Sequence, residues 1–260
     1  MTHPDIWMSR DKELDYFVAE RNWNKGVDWY TSHFRADRPV RGESSPSYTN
    51  YPRCSGVPGR MHALIPDAKL IFLVRPPIER IVAHYVHNVA SGREHRSLDE
   101  VTASLEHSDV IARSKYYLQI AEYLRFYPRS RILVIMQEDL RDRRTATLQE
   151  VFRFLEVDPA FRSWQFRLQF HRTHDKRKMT RLGASIVRRL GDTVLAKLAH
   201  AVPYRFMRAA SLPFSTPIPQ PIETGSIRRR LILALQDDVR RFEDFTGRNL
   251  SHWLEVDGYE

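Results

Sequence analysis

The sequence predicts an α/β fold with a mainly parallel sheet flanked by helices, and three observations carry that expectation. "AKLIFLV" (68–74) and "RILVIM" (131–136) are apolar on nearly every residue, the pattern of strands buried on both faces of a parallel sheet. Helical periodicity lies between and after them, so strand, helix and strand recur at the spacing of crossover units. The chain has 260 residues, enough for one large domain with a substantial core.

Taken in order, "ELDYF" (13–17) reads as a short strand that opens on a carboxylate. An aromatic segment, "NKGVDWYTSHF", follows. "VRGESSPSY" (40–48) reads as another short strand running into a Ser/Pro turn. Pro76 and Pro77 stop the first long apolar strand, and Pro77 suits the first turn of a helix. That helix carries Ile78, Ile81, Val82 and Tyr85 on one face. Ser97 and Glu100 have capping-box spacing for a helix to about position 106. A further helix over about 109–126 is closed by Pro128, and another covers 145–155.

Beyond Trp164 the texture changes. "FHRTHDKRKMTRLG" is densely basic, and "SIVRRLGDTVLAKLAHAV" (185–202) has apolar residues at helical spacing. Such a helix either packs on the domain or lies on a membrane surface as a peripheral contact. A Pro-rich connection leads to a last helix over 226–245, with Ile227, Leu231, Leu235, Val239 and Phe242 inward and Gly247 at its stop. There is no internal repeat. The expected organisation is a single domain over 1–260, in which 164–225 is a basic, amphipathic, lid-like helical region and 226–260 carries the C-terminal helix.

Composition narrows the function. Hydrophobic residues make up 42% and aromatics 11%, which is globular rather than disordered. The net charge of +9 points to anionic partners: a nucleotide, a sulfated or phosphorylated ligand, nucleic acid or a lipid surface. No helix-turn-helix, zinc-finger or RNP-like run is visible, so nucleic acid is not expected. Cys54 is the only cysteine, which leaves no intrachain disulfide and no cysteine zinc cluster. No other metal-ligand spacing stands out, and no metal is expected. No apolar run approaches the ~20 residues that cross a bilayer, and the first residues lack the apolar core of a signal peptide. A reducing cytoplasm is the expected compartment.

Ligands of open α/β sheets bind beyond the carboxyl ends of the strands. Arg75 stands at such an end, with Arg80 five residues later. A guanidinium fork there suits bidentate capture of a phosphate; an ion pair with Glu79 is the alternative.

Arg75-x-Pro77-x-x-Arg80-x-x-Ala83-x-Tyr85 resembles the 3′-phosphate-binding segment of sulfotransferases that use 3′-phosphoadenosine-5′-phosphosulfate (PAPS). The heparan-sulfate and bacterial carbohydrate branch is the nearest in pattern. Other landmarks fall in the family's order: "HPDIWMSRDKELDYF", "GVDWY", "GESSPSY", "RSKYYLQIAEYLRFYPRSRILVIMQEDL" and "FEDFTGRNLSHW". The resemblance spans nearly the whole chain and implies a P-loop-NTPase-like sulfotransferase fold. It implies transfer of a sulfuryl group from PAPS to a hydroxyl of a carbohydrate, glycolipid or small metabolite, without a metal. The alternative is a catalytically weak or inactive remnant that binds nucleotide or a partner without turnover.

The same resemblance assigns roles. Glu13 takes the position of the general base, with a strand-end pair to Lys12 or Arg10 as the other reading of that residue. Asp15 orients the base or meets the acceptor. Glu43 and Ser44 fall in the acceptor-side "Glu-Lys-Thr/Ser-Pro" position, where Ser44 cannot supply the lysine's charge. Arg75 grips the 3′-phosphate, and Ala83 stands where relatives have a serine hydroxyl. Lys176, Arg177, Lys178, Arg181 and Gly183 fall where the family closes a basic loop over the nucleotide; a solvated charge run is the other reading. The family's first, central strand and its phosphate-binding loop precede "HP", here His3-Pro4. No glycine precedes Gly26, so that strand and loop are expected to be missing from this chain, with weak donor binding as the consequence.

Overall fold

The computed structural model describes residues 3–103, 108–167, 177–180, 212–217 and 224–255, and positions 185 and 189. The early elements are β1 (Ile6–Met8), α1 (Gly26–Thr31), β2 (Val40–Gly42) and α2 (Val57–Leu64). The middle of the chain supplies β3 (Leu70–Val74), α3 (Pro77–Ala90), α4 (Leu98–Ala103), α5 (Asp109–Ala112) and α6 (Tyr116–Leu124). After these come β4 (Ile132–Met136), α7 (Gln137–Asp142), α8 (Arg144–Phe154), β5 (Arg177–Met179), β6 (Ser215–Pro217) and α9 (Gly225–Thr246). This is α/β architecture with parallel strands flanked by helices.

The strands pair as β1 with β2 and β3 with β4, both parallel, and β5 with β6, antiparallel. Among the described residues these are three two-stranded ladders rather than one continuous sheet. A cavity of about 860 Å³ lies between β2 and β3, lined by both. That gap corrects one expectation. "AKLIFLV" is not buried on both faces: Ile71 is 43% and Leu73 57% exposed, because they face the open side. On the other side Phe72 meets Tyr116 and Phe242 edge-on, and Val74 is buried.

Helix α9 spans the core. Its residues Ile227, Leu231, Leu235, Val239 and Phe242 recur every three or four positions and are all buried. Burying such side chains contributes roughly 1.5–3 kcal/mol each before entropy is counted. Phe242 stacks on Trp253 and tilts against Tyr116. Gly247 ends the helix at φ +67°, a left-handed cap that glycine adopts without strain. Asp238, also on α9, accepts the backbone N–H groups of Tyr117 and Leu118 at 3.0 and 2.8 Å. A carboxylate thus caps the N-terminus of α6, where orphan donors and the helix dipole both favour it.

Two further expectations change. "ELDYF" is not a strand: Glu13 and Asp15 have φ of +59° and +47°, so the chain turns there. The turn lets the consecutive residues Leu14 to Val18 all be buried, which an alternating strand on a half-covered sheet cannot do. The helix expected over 109–126 is broken between α5 and α6. Lys115 is extended at ψ 88°, and the Ser114 hydroxyl donates back to the Val110 carbonyl at 2.9 Å, a local bond that competes with helix continuation. Elsewhere sequence and structure agree closely. Ser97 and Glu100 exchange backbone and side-chain bonds as a capping box, and α3 begins at Pro77.

Candidate active site

The cavity between β2 and β3 has a cationic end. Strand β3 delivers Arg75 to it, Pro76 and Pro77 turn the chain, and the first turn of α3 adds Arg80; both line the cavity together with Arg113. The Arg75 side chain makes no hydrogen bond or ion pair among the described residues, so Glu79 does not neutralise it. Arg80 donates to the Ser114 hydroxyl at 3.1 Å. Burial, then the like charges of Arg113 and Arg75, lower its pKa to about 10. Arginine normally stays charged beyond pH 12, so this guanidinium is held in surroundings that lack an anion. His84, one turn on, is lowered to about 4 by burial and by Arg80, Arg113, His87 and Arg93. It is neutral at physiological pH, and the field that keeps it neutral is positive.

The break between α5 and α6 builds this end. From four consecutive residues, Arg113 faces the cavity, Ser114 receives Arg80, and Tyr116 donates to the Arg75 carbonyl at 2.8 Å. Gln119, one turn further, exchanges bonds with both backbone groups of Tyr51 at 2.8 and 2.9 Å. The loop after β2 is thereby tied to α6.

The cavity lining also holds a carboxylate wrapped in hydroxyls. Glu43, just past β2, accepts from the Tyr48 hydroxyl at 2.7 Å and the Ser45 hydroxyl at 2.8 Å. Burial raises its pKa against the pull of Tyr48, Ser45 and Tyr30, and Asp15 raises it further. The same hydroxyls reach beyond it: Ser45 accepts the Asp15 N–H at 3.0 Å, and Tyr48 accepts the Phe17 N–H at 3.4 Å. One carboxylate therefore pins two backbone donors of the 13–17 turn through two hydroxyl relays. Asn22 adds a bond to the Leu14 carbonyl at 2.7 Å, and Arg60 one to the Phe17 carbonyl at 2.8 Å. A non-glycine residue at positive φ costs on the order of 1–3 kcal/mol and persists only where neighbours over-determine it. Here they do.

The expected site residues fall as follows. Arg75, Glu43 and Ser44 line the cavity. Glu13 is exposed on the strained turn, outside the cavity lining, and is paired with neither Lys12 nor Arg10. Asp15 is buried, with one oxygen on Arg21 and the other, Oδ1, without a partner. Ala83 is buried in α3 and offers no hydrogen-bonding group. Arg177 and Lys178 lie in β5, opposite Pro217 and Thr216 of β6, and β5 runs against α3. Lys176, Arg181 and Gly183 lie outside the described residues, as does most of 185–202. Sequence reasoning missed Arg113, Ser114 and Tyr116 as site residues, and the hydroxyl relays of Ser45 and Tyr48. The polar "RSK" interrupting an otherwise amphipathic helix was the available signal for the first group.

Glu43→Gln tests the relay. The folded state holds the Glu43 proton to higher pH than the unfolded chain does. This group's contribution to stability is therefore greatest below the ordinary glutamate pKa and falls as pH rises through the folded value. With no proton to titrate, the variant should lose that slope in urea melts recorded from pH 4 to 7. A slope unchanged from the unsubstituted chain would remove Glu43 from this account.

The site and fold together define a class: an α/β protein that presents guanidinium groups at a strand end, on a cavity also lined by the hydroxyl-bound Glu43, the arrangement of a group-transfer enzyme for an anionic donor. The sulfotransferase family model matches residues 7–161, and the chain belongs to that family. It is 26% identical over 165 residues to the bifunctional heparan sulfate N-deacetylase/N-sulfotransferase 2 of Homo sapiens, covering 57% of this chain and 18% of that protein. It is also 26% identical over 184 residues to the heparan sulfate glucosamine 3-O-sulfotransferase 5 of Homo sapiens, covering 66% of this chain and 51% of that one. The chain thus spans about half of the second relative's length and under a fifth of the first's. In fold it is similar to a sulfotransferase from Alicyclobacillus acidocaldarius known from a crystal structure, with a TM-score of 0.66, 22% identity and coverage of 97% of this chain and 90% of that one.

Proposed function

We propose that this chain takes part in sulfuryl transfer from PAPS to a hydroxyl of a carbohydrate, glycolipid or small metabolite. The observation that carries the reading is the cluster of guanidinium groups at the end of β3, on a cavity also lined by the hydroxyl-bound Glu43. A cationic end suits the phosphates of an adenosine donor, and the family match supplies the group that donor carries.

In the proposed step the acceptor oxygen attacks sulfur in line with the departing phosphate oxygen. A new C–O–S linkage forms, the S–O bond to the 5′-phosphate breaks, and 3′-phosphoadenosine-5′-phosphate leaves. The acceptor's proton passes to Glu13, whose carboxylate is exposed and unpaired and which begins the turn that the relays hold at Asp15 and Phe17. Such transfers are dominated by positioning and charge stabilisation. Arg75 and Arg80 hold the donor, Asp15 fixes Arg21 beside the turn, and Ser44 faces the acceptor side.

The test is transfer of ³⁵S from labelled PAPS to a panel of oligosaccharides, glycolipids and polyols. Label in any acceptor, absent without protein, supports the reading. Nucleotide binding with no label in any acceptor favours the second reading, a binder without turnover. The position of Glu13 outside the cavity lining is what favours that second reading.

A further inference from the structure

The anion pocket has a third arm that lies on neither β3 nor α3. Arg113 lines the same cavity as Arg75 and Arg80, and its guanidinium is aimed by one bond, from Nε to the buried Asn50 oxygen. Asn50 is itself held by contact with the Cys54 sulfur at 3.5 Å. With Nε committed, the two terminal nitrogens, which carry four of the five guanidinium protons, keep no partner among the described residues. The carboxylate on its own helix, Asp109, is taken by Arg53. Burial holds the Arg113 pKa below its ordinary value, as expected of a cation kept from water without a counter-ion.

Its neighbours agree. Arg113 and Arg80 line one cavity, and the positive charge of both depresses His84 in the second turn of α3. On α3, Ala83 is buried and carries only a methyl group, with no donor to give to a ligand. Three guanidinium groups line one cavity, and each can donate to an oxygen of a phosphate monoester.

We propose that Arg113 is a donor-binding residue that contacts the 3′-phosphate of the nucleotide and supplies there the hydrogen bonds that position 83 cannot. The inference rests on the PAPS reading above. It also assigns a function to the break between α5 and α6. A continuous helix would carry Arg113 on a different heading and would leave Arg80 without Ser114.

Isothermal titration of the full chain with 3′-phosphoadenosine-5′-phosphate and, separately, with adenosine 5′-phosphate tests it. The unsubstituted chain should prefer the bisphosphate by at least about 100-fold. Arg113→Ala and Arg113→Gln should each reduce that preference about 10- to 100-fold and leave affinity for the monophosphate unchanged; Arg113→Ala, which leaves the buried Asn50 oxygen without its donor, should also melt lower than the parent. Arg113→Lys should recover part of the preference. A preference intact in both neutral variants overturns the role of Arg113 while leaving the donor reading in place. No preference in the unsubstituted chain overturns the donor reading itself. Should Arg113→Ala not fold, Arg113→Gln, which keeps the length and the polar end of the side chain, decides alone.

Discussion

Glu13→Gln is expected to lower the rate of sulfuryl transfer by about 10²–10⁴-fold, the usual contribution of a positioned general base. Affinity for 3′-phosphoadenosine-5′-phosphate should not change, because Glu13 is outside the cavity that holds the arginines. Stability should not fall either. The side chain has no partner to lose, and the residues that follow it stay pinned, Leu14 by Asn22, Asp15 by Ser45 and Phe17 by Tyr48. The decisive measurement is single-turnover transfer beside a thermal melt. A variant with undiminished transfer would show that the proton goes elsewhere, and Glu43 is the carboxylate already in the cavity.

Arg75→Ala should do the reverse. Two charge-assisted bonds to a phosphate amount to about 3–4 kcal/mol, so nucleotide binding should weaken on the order of 10²–10³-fold. Most mutations of a half-buried residue destabilise; this one should not. The Arg75 side chain has no partner among the described residues, the Tyr116 bond to its carbonyl survives the substitution, and its charge depresses Arg80, so its removal relieves repulsion between like charges. Titration and melting on the same sample read both effects. Lost stability with retained binding would mean that Arg75 belongs to the framework and not to the ligand.

The sequence shows the arginine end of the site more clearly than the carboxylate end, for a physical reason. Five apolar residues followed by Arg75 and two prolines leave few conformations open, and strand, stop and helix start occur where the residues place them. The 13–17 turn carries no such signal. Its apolar residues suggest a strand, and only long-range bonds to Ser45 and Tyr48 from the β2 loop make the left-handed backbone at Glu13 and Asp15 pay its way. Arg113 was hidden for a similar reason. Residues 109–126 have sound helical periodicity, and the break is bonded to Arg80 and Arg75, which stand 34 and 41 positions earlier in the chain than Ser114 and Tyr116. Asp238 is plainer still: nothing near it announces that it caps a helix more than a hundred residues away.

Among the described residues strand β3 is hydrogen-bonded to β4 on one side only, and Ile71 and Leu73 are exposed. Unpaired amides beside exposed aliphatic side chains form an adhesive seam, to which any extended apolar peptide can add as one more strand. Crowding should therefore drive copies of the protein together along that seam. A bound nucleotide, occupying the same gap, should keep them apart.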